Sequence, residues 1–339
     1  MRKKLTLVVV AVFVGLGGVP VYLVFAPPAK AIQFPDGKRF AFSIIDDTDM
    51  TTLERIRPIY DLLDKYGLRT TKTVWVYNSN EESHDTNRGD SLRDPTYRRF
   101  VVDLQAKGFE IALHGVRGGS SRREETLSGL NEFRSELGQY PRMYVNHSLN
   151  KENLYWGRHV FAVAPYRWLG GVAIRHEFSG HEPDSPYFWG DIAKQHIQYV
   201  RRFTFRDINL LNVNPSFPYR LADKPYVNYW FPTANGDRII EFAELLKTEN
   251  LARLDREGGV CLVYAHLGAG SFNKPGGVDP KFEARLKELV SYNGWFVPAS
   301  QILDHLRREP SWNGELGFLE RLRVDTLYLL GQVLPALSR

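Results

Sequence analysis

The sequence predicts an α/β protein in which βα units build a parallel sheet or barrel. Short β-rich runs alternate with helical patterns from residue 40 onward, and no tandem repeat is apparent. About 280 residues with many aromatic side chains suit one large domain better than two small ones. We therefore divide the chain into a leader (1–31), a barrel domain (32–310) and a C-terminal amphipathic helix (311–339).

The leader has the features of a membrane-inserting segment. Arg2, Lys3 and Lys4 precede an almost uncharged apolar stretch, Leu5–Phe25, which at ~1.5 Å per residue could just cross a ~30 Å hydrocarbon core. Ala29–Ala31 has the small-x-small form of a signal peptidase site, so a retained anchor and a cleaved signal both remain open. Because the positive cluster stays cytoplasmic, either alternative predicts a membrane-anchored or secreted protein with a periplasmic or extracytoplasmic domain.

Charge and cysteine content exclude some classes of protein. The formal net charge of +5 includes four cations and no acid in the leader, which leaves +1 for the rest of the chain. Such a domain lacks the concentrated cationic surface that nucleic acid binding needs. Cys261 is the single cysteine, so no intrachain disulfide can form, and its apolar neighbours predict a buried residue. The oligomeric state stays open.

The elements of the first half follow from hydrophobic spacing. Residues 40–46 form the first predicted strand, and apolar residues recur at helical spacing over Thr52–Tyr66 before Gly67 ends the helix. A second strand, Thr70–Tyr77, leads into a polar loop over residues 78–94. The later elements are helices at 95–107 and 124–137 and strands at 109–113, 142–146, 260–265 and 295–297.

The middle of the chain, residues 150–235, is dense in aromatic residues and resists assignment. Aromatic rings stack on sugars but more often fill a core, and Tyr187 and Trp189 are the best candidates for a substrate cleft. After Pro310 an apolar stripe predicts a helix that packs on the domain rather than on a membrane surface, because acidic residues dilute its cationic face.

Polar residues stand at the ends of four predicted strands. Asp46 and Asp47 close the first, His114 follows the third, His147 closes the fourth and His266 closes the strand at 260–265. In barrels of parallel strands, working residues come from these carboxyl ends. One carboxylate and neutral imidazoles suit a divalent metal, and a second carboxylate can take a proton from bound water. The pattern therefore predicts a mononuclear metal hydrolase. A strand-end aspartate can also be a helix cap, as Asp49 before Leu53 could be.

Three segments carry a resemblance to a known family. Phe42–Asp47, Glu110–Gly115 and Leu262–His266 resemble, in order and spacing, motifs of the polysaccharide deacetylases with a NodB-homology domain, and the likeness extends over roughly residues 38–308. The resemblance implies a distorted (β/α) barrel and metal-dependent removal of N- or O-acetyl groups from a glycan. By position it implies that Asp46 is the general base, that Asp47 and His114 are metal ligands, and that His266 is the general acid.

Two departures from the family pattern affect the predicted site. Gly118 stands where the family has a second histidine, and the motif that carries an arginine followed by Pro-Tyr is here Arg142–His147. We infer that His147 replaces the missing ligand, because a metal needs three donors in space and not in sequence. Arg142 and Asn146 are predicted to contact substrate. In this scheme Asp46 accepts a proton from water activated by Zn²⁺ or another divalent metal, and His266 protonates the departing sugar amine or alcohol.

Two other functions remain open at this point. The absent histidine at Gly118 motivates one alternative, a deacetylase-like protein without catalysis that binds a glycan during polysaccharide assembly or export. A glycoside hydrolase is less favoured, because it needs two carboxylates on opposite sides of a bond while adjacent strand residues point to opposite faces.

Overall fold

The computed structural model describes residues 32–339 except 82, 84–87, 174–175, 276, 311 and 338–339. The leader, which the sequence assigns to a membrane anchor or signal, lies outside the described residues, as do positions 82 and 84–87 of the polar loop. Within the part that is described, no helix combines the length and apolar character that a membrane span requires.

Among the described residues, seven parallel strands close into a barrel. The first strand pairs with the second on one side and with the seventh on the other, which closes the ring. A tenth strand pairs outside the ring with the start of the first, and the eighth and ninth form a small antiparallel hairpin. The strands are β1 (Phe40–Asp46), β2 (Thr71–Val74), β3 (Glu110–Leu113), β4 (Met143–Tyr144), β5 (Tyr199–Phe205), β6 (Tyr229–Asn235), β7 (Val260–Ala265), β8 (Asn273–Lys274), β9 (Gly277–Val278) and β10 (Gly294–Phe296).

Helices cover the outside of this barrel. They are α1 (Leu53–Lys65), α2 (Pro95–Ala106), α3 (Arg123–Leu137), α4 (Ala164–Ala173), α5 (Gly190–His196), α6 (Leu210–Val213), α7 (Ile239–Leu245), α8 (Thr248–Glu257), α9 (Pro280–Leu289), α10 (Ala299–Leu306) and α11 (Phe318–Leu337). The predicted first helix is observed as α1, and Gly67 follows it with φ +70°, a left-handed conformation that glycine adopts without steric cost. The distorted (β/α) barrel is confirmed.

Strand β1 could be predicted from the sequence because it lies in the barrel interior. All seven of its residues are buried, as expected for a strand covered on both faces. Strand β5 is also almost completely buried, but it carries Arg201 and Arg202, and each arginine has a buried acidic partner. Charged residues in a buried strand break the apolar pattern, which is why β5 could not be assigned.

The buried carboxylate of Asp325 connects the C-terminal helix α11 to the barrel. Asp325 accepts hydrogen bonds from the backbone N–H groups of Ala162 (2.8 Å) and Val163 (3.0 Å) and pairs with Arg202 Nη2 (2.5 Å). Arg202 in turn donates to the carbonyl of Val160. The helix therefore packs on the domain through strand β5.

Candidate active site

The loop after β1 carries two of the acidic side chains of the site. Its turn is closed by a hydrogen bond from Thr51 N to Thr48 O (3.1 Å). Two glycines pack against the turn so closely that a Cβ on Gly89 would lie 2.8 Å from Thr51 O and one on Gly268 would lie 2.2 Å from Thr51 Oγ1. The turn is thus held between two neighbouring loops, which fixes the direction of Asp49.

Asp49, His114 and His147 form a buried group at the carboxyl ends of the strands. Asp49 Oδ1 lies 2.9 Å from His147 Nε2, and Asp49 Oδ2 lies 3.5 Å from His114 Nε2. The two imidazole centroids are 4.9 Å apart. One carboxylate oxygen and two ring nitrogens of this group all lie within 4.8 Å of one another, so the group could hold a single metal ion.

The outer nitrogens of both imidazoles are committed as donors. His114 Nδ1 lies 3.0 Å from the carbonyl oxygen of Val145, which can only accept, so Nδ1 carries the proton. His147 Nδ1 lies 3.0 Å from Asn150 Oδ1. In the neutral rings both Nε2 lone pairs therefore face Asp49.

These inward atoms fit a divalent cation. His114 Nε2, His147 Nε2 and Asp49 Oδ1 are buried, and none of them has a hydrogen bond of good geometry among the described residues, although His147 Nε2 and Asp49 Oδ1 lie 2.9 Å apart. A buried unsatisfied polar atom costs about 1–3 kcal/mol, and a cation bound by all three would remove that penalty. Two imidazoles and a carboxylate are a donor set that zinc and similar metals accept.

Electrostatics keep Asp49 ionised. Burial raises the pKa of Asp49, but in the metal-free site the imidazoles of His114, His147 and His266, when they carry a proton on Nε2, outweigh burial and hold that pKa well below the ordinary value. The carboxylate is thus available as a ligand.

Asp47, the predicted ligand, lies beside this group but has another partner. Arg201 Nη1 and Nη2 reach its two oxygens at 2.9 and 2.6 Å, and the guanidinium also lies over the Tyr264 ring. Asp47 Oδ2 remains 3.7 Å from His114 Nε2. Asp49 and not Asp47 lies between the two imidazoles, but Asp47 forms another candidate group with Asp49 and His266, so its role as a metal ligand stays a prediction.

Asp46, the predicted general base, is oriented away from the group. Its carboxylate accepts from Leu267 N (2.9 Å) and Tyr60 OH (3.2 Å) and pairs with the buried Lys72 Nζ (3.0 Å). Burial raises its pKa, and Lys72 partly offsets that rise. Adjacent strand residues point to opposite faces, so of the two aspartates Asp47 is the one on the side of the imidazoles. These contacts disfavour Asp46 as the general base, and that role stays a prediction.

His266 lies where the site opens to solvent, with its side chain 15% exposed. Its Nε2 is 2.8 Å from Asp49 Oδ2, and its Nδ1 is 2.5 Å from Asp237 Oδ1. Burial lowers the pKa of His266, but Asp237 and Asp49 outweigh burial and raise it to about 10. Asp237, which follows β6, was not found by sequence reasoning because β6 lies in the aromatic middle region that resists assignment.

The four residues predicted to contact substrate have different environments. Arg142 precedes β4, at the opposite end of the strand from His147, and forms a bidentate ion pair with Asp304. Asn146 binds both backbone groups of Leu154. Trp189 is fully buried. These contacts and this burial serve the fold and disfavour substrate contact by the three residues, which stays a prediction.

Tyr187 lines an open space at the surface. It is half-buried beside a surface cavity of about 460 Å³ whose wall is polar. The other lining residues are Lys151, His176, Glu177, Ser179, Glu182, Ser185 and Pro186. A contact with substrate through Tyr187 stays a prediction.

Another group whose side chains could bind a metal consists of His159, His181 and Glu182. Unlike the imidazoles of His114 and His147, its two rings already use a nitrogen lone pair to accept a hydrogen bond. His181 Nδ1 accepts from Tyr155 N, and His159 Nε2 accepts from Arg158 Nε. Burial, together with nearby positive charge, lowers the pKa of His181 to about 3 and that of His159 to about 4. Because an acceptor nitrogen of each ring is already in use, this group is a weaker metal site than the Asp49 group.

Comparison with solved structures identifies the fold. No family model and no curated protein match the chain. A Mycobacterium smegmatis structure described as a polysaccharide deacetylase matches with a TM-score of 0.52 and 14% identity, covering 86% of this chain and 98% of that one. The chain has the polysaccharide deacetylase fold.

Two further solved structures are similar to this polysaccharide deacetylase fold at lower scores. One is a protein from Pseudomonas aeruginosa PAO1, also described as a polysaccharide deacetylase, with a TM-score of 0.49, 13% identity and coverage of 89% of this chain and 99% of that one. The other is a Puue allantoinase, with a TM-score of 0.49, 12% identity and coverage of 85% and 96%. At these identities the likeness describes the fold and not the reaction.

Proposed function

We propose that this protein is a metal-dependent hydrolase that removes N- or O-acetyl groups from a cell-surface or exported polysaccharide. The observation that carries the proposal is the buried group Asp49, His114 and His147, whose unpartnered donor atoms face one another at the carboxyl end of the barrel. The polysaccharide deacetylase fold supports the substrate class.

Within this proposal, Asp49, His114 and His147 hold a divalent metal, with Zn²⁺ as the first candidate. Such an ion, when bound, supplies Lewis acidity that lowers the pKa of a coordinated water and polarises the acetyl carbonyl. In this proposal Asp49, and not Asp47, is the carboxylate ligand. His147 supplies the second imidazole, because the position where the family has a second histidine is Gly118 in this chain.

Asp47 is our candidate for the general base. Arg201 binds both of its oxygens and so fixes the carboxylate beside the metal group without placing it between the imidazoles. In the reaction a water oxygen attacks the acetyl carbon, and Asp47 takes a proton from that water.

His266 is our candidate for the general acid, with Asp237 as the residue that orients it. Asp237 Oδ1 lies 2.5 Å from its Nδ1 and orients the ring, and the partial exposure of His266 places it where a substrate would enter. As the C–N or C–O bond to the acetyl group breaks, His266 gives its proton to the departing sugar amine or alcohol, and acetate is the second product.

The place of action is also part of the proposal. The leader, with its amino-terminal cations and apolar stretch, favours a membrane-anchored or secreted protein whose barrel works outside the cytoplasm. A polysaccharide made or modified there is the substrate that we expect.

Acetate release from N- and O-acetylated oligosaccharides tests the proposal, measured with Zn²⁺-loaded protein and again after removal of metal with a chelator. We expect turnover that chelation abolishes and Zn²⁺ restores. Asp47→Asn serves as a matched control that should keep the metal and lose turnover.

The rival function is a non-catalytic glycan-binding protein in polysaccharide assembly or export, and it was motivated by Gly118. The position of His147 beside Asp49 supports the catalytic alternative. Retained oligosaccharide affinity in a metal-loaded protein that releases no acetate would favour the rival.

A further inference from the structure

His147 reaches the metal group from an irregular loop, and side chains rather than regular structure hold that loop. Strand β4 is two residues long, and Ser148, the residue after His147, has φ +32°, an unfavourable conformation for a residue other than glycine. Asn153 binds both backbone groups of His147, accepting from its N–H (3.1 Å) and donating to its carbonyl (3.0 Å). The backbone position of His147 is thus fixed by Asn153.

The direction of the His147 ring depends on a different residue, Asn150. The amide nitrogen of Asn150 donates to the carbonyl of Arg117 (3.0 Å) and to Glu152 Oε1 (2.9 Å), which uses both of its hydrogens. The amide oxygen must therefore face His147 Nδ1, 3.0 Å away. An acceptor at that position requires a proton on Nδ1 and so leaves the Nε2 lone pair directed at Asp49.

The surroundings of Asn150 leave its amide little freedom. Gly115, next to His114, has φ +77°, and a Cβ built there would lie 3.1 Å from Asn150 Nδ2. Glu152, the acceptor for that amide, is itself buried and receives a hydrogen bond from Ser121 N (3.0 Å). Two loops, the one after β3 and the one after β4, thus meet at this amide group.

We propose that Asn150 is a positioning residue that sets the tautomer of His147 and thereby the metal affinity of the Asp49 group. The inference rests on the proposed metal site and deepens it. Outer partners of metal-bound histidines typically contribute 10–100-fold in affinity, so Asn150→Leu, which keeps the shape and removes the acceptor, should weaken Zn²⁺ binding by about that factor.

Two measurements test this role in the full chain. Zn²⁺ affinity is measured by competition with a chelating dye for the wild type, Asn150→Leu and Asn150→Asp, the last of which restores an acceptor for Nδ1–H. The tautomer of His147 is read from ¹⁵N shifts of histidine-labelled, metal-free protein at alkaline pH. We expect Nδ1–H in the wild type and Asn150→Asp, and a mixture of tautomers in Asn150→Leu.

A wild-type ring protonated at Nε2 would overturn the inference without any variant. Folded Asn150→Leu with wild-type Zn²⁺ affinity would overturn it as well. Absence of Zn²⁺ binding by the wild type would instead refute the proposed function, so the two failures are distinguishable.

Discussion

Asp49→Asn tests which carboxylate is the metal ligand, because asparagine keeps the shape of aspartate and removes its charge. The donors of the group lie within 4.8 Å of one another, and Asp49 contributes the negative charge between the two imidazoles. Two unit charges about 4 Å apart are worth about 4 kcal/mol in a partly buried site. We therefore expect Asp49→Asn to weaken metal affinity by about 10³-fold.

Asp46 and Asp47 provide controls with the same chemical change. Asp47→Asn should keep the metal and lower turnover by about 10²–10⁴-fold, the usual contribution of a general base. Asp46→Asn should also keep the metal, but it leaves the buried Lys72 without its charged partner and should cost about 3–5 kcal/mol of stability.

The assay is metal content after dialysis, determined by mass spectrometry, together with Zn²⁺ affinity from chelator competition. Each variant is first shown to be folded by circular dichroism. Equal metal content in the wild type and Asp49→Asn, with loss of metal in Asp47→Asn, would refute the assignment and restore the original prediction for Asp47.

Three more outcomes follow from other parts of the structure. Asp237→Asn removes the partner that orients His266 and should lower kcat of acetate release by about 10²-fold with little change in KM; an unchanged kcat would argue against His266 as the acid. Asp325→Asn removes the charged partner of the buried Arg202 and should cost about 3–5 kcal/mol in urea unfolding, whereas a loss below 1 kcal/mol would show that α11 is held by other contacts. Burial lowers the pKa of His181 to about 3, so the unfolded state binds more protons below its usual pKa of about 6.5, and stability should fall as the pH drops from 6.5 toward 3, by about 2 kcal/mol at pH 5. His181→Asn, which keeps an acceptor for Tyr155 N, should flatten this dependence, and equal slopes for the two proteins would contradict it.

The barrel was predictable where the apolar pattern was uninterrupted. Strand β1 is buried on both faces and the apolar residues of α1 recur at helical spacing, so both elements could be predicted from the sequence. Strand β5 contains two adjacent arginines whose partners, Asp47 and Asp325, are distant in sequence, and no local pattern reveals such pairs.

The candidate site was partly predictable because strand ends converge. His114, His147 and His266 all lie at the carboxyl end of the barrel, as the sequence indicated. The sequence spacing allows Asp49 to cap α1, but in the structure Asp90 Oδ2 accepts the hydrogen bond from Leu53 N at 2.6 Å. The turn at 48–51 that directs Asp49 depends on packing against residues far along the chain, which sequence spacing does not encode.

The most direct test of the proposed metal centre is anomalous X-ray diffraction from Zn²⁺-soaked crystals, recorded on both sides of the zinc absorption edge. We predict one strong peak bonded to Asp49, His114 Nε2 and His147 Nε2 at about 2.0–2.2 Å. A peak bonded to Asp47 instead of Asp49, or no peak between the two imidazoles at saturating Zn²⁺, would contradict the assignment.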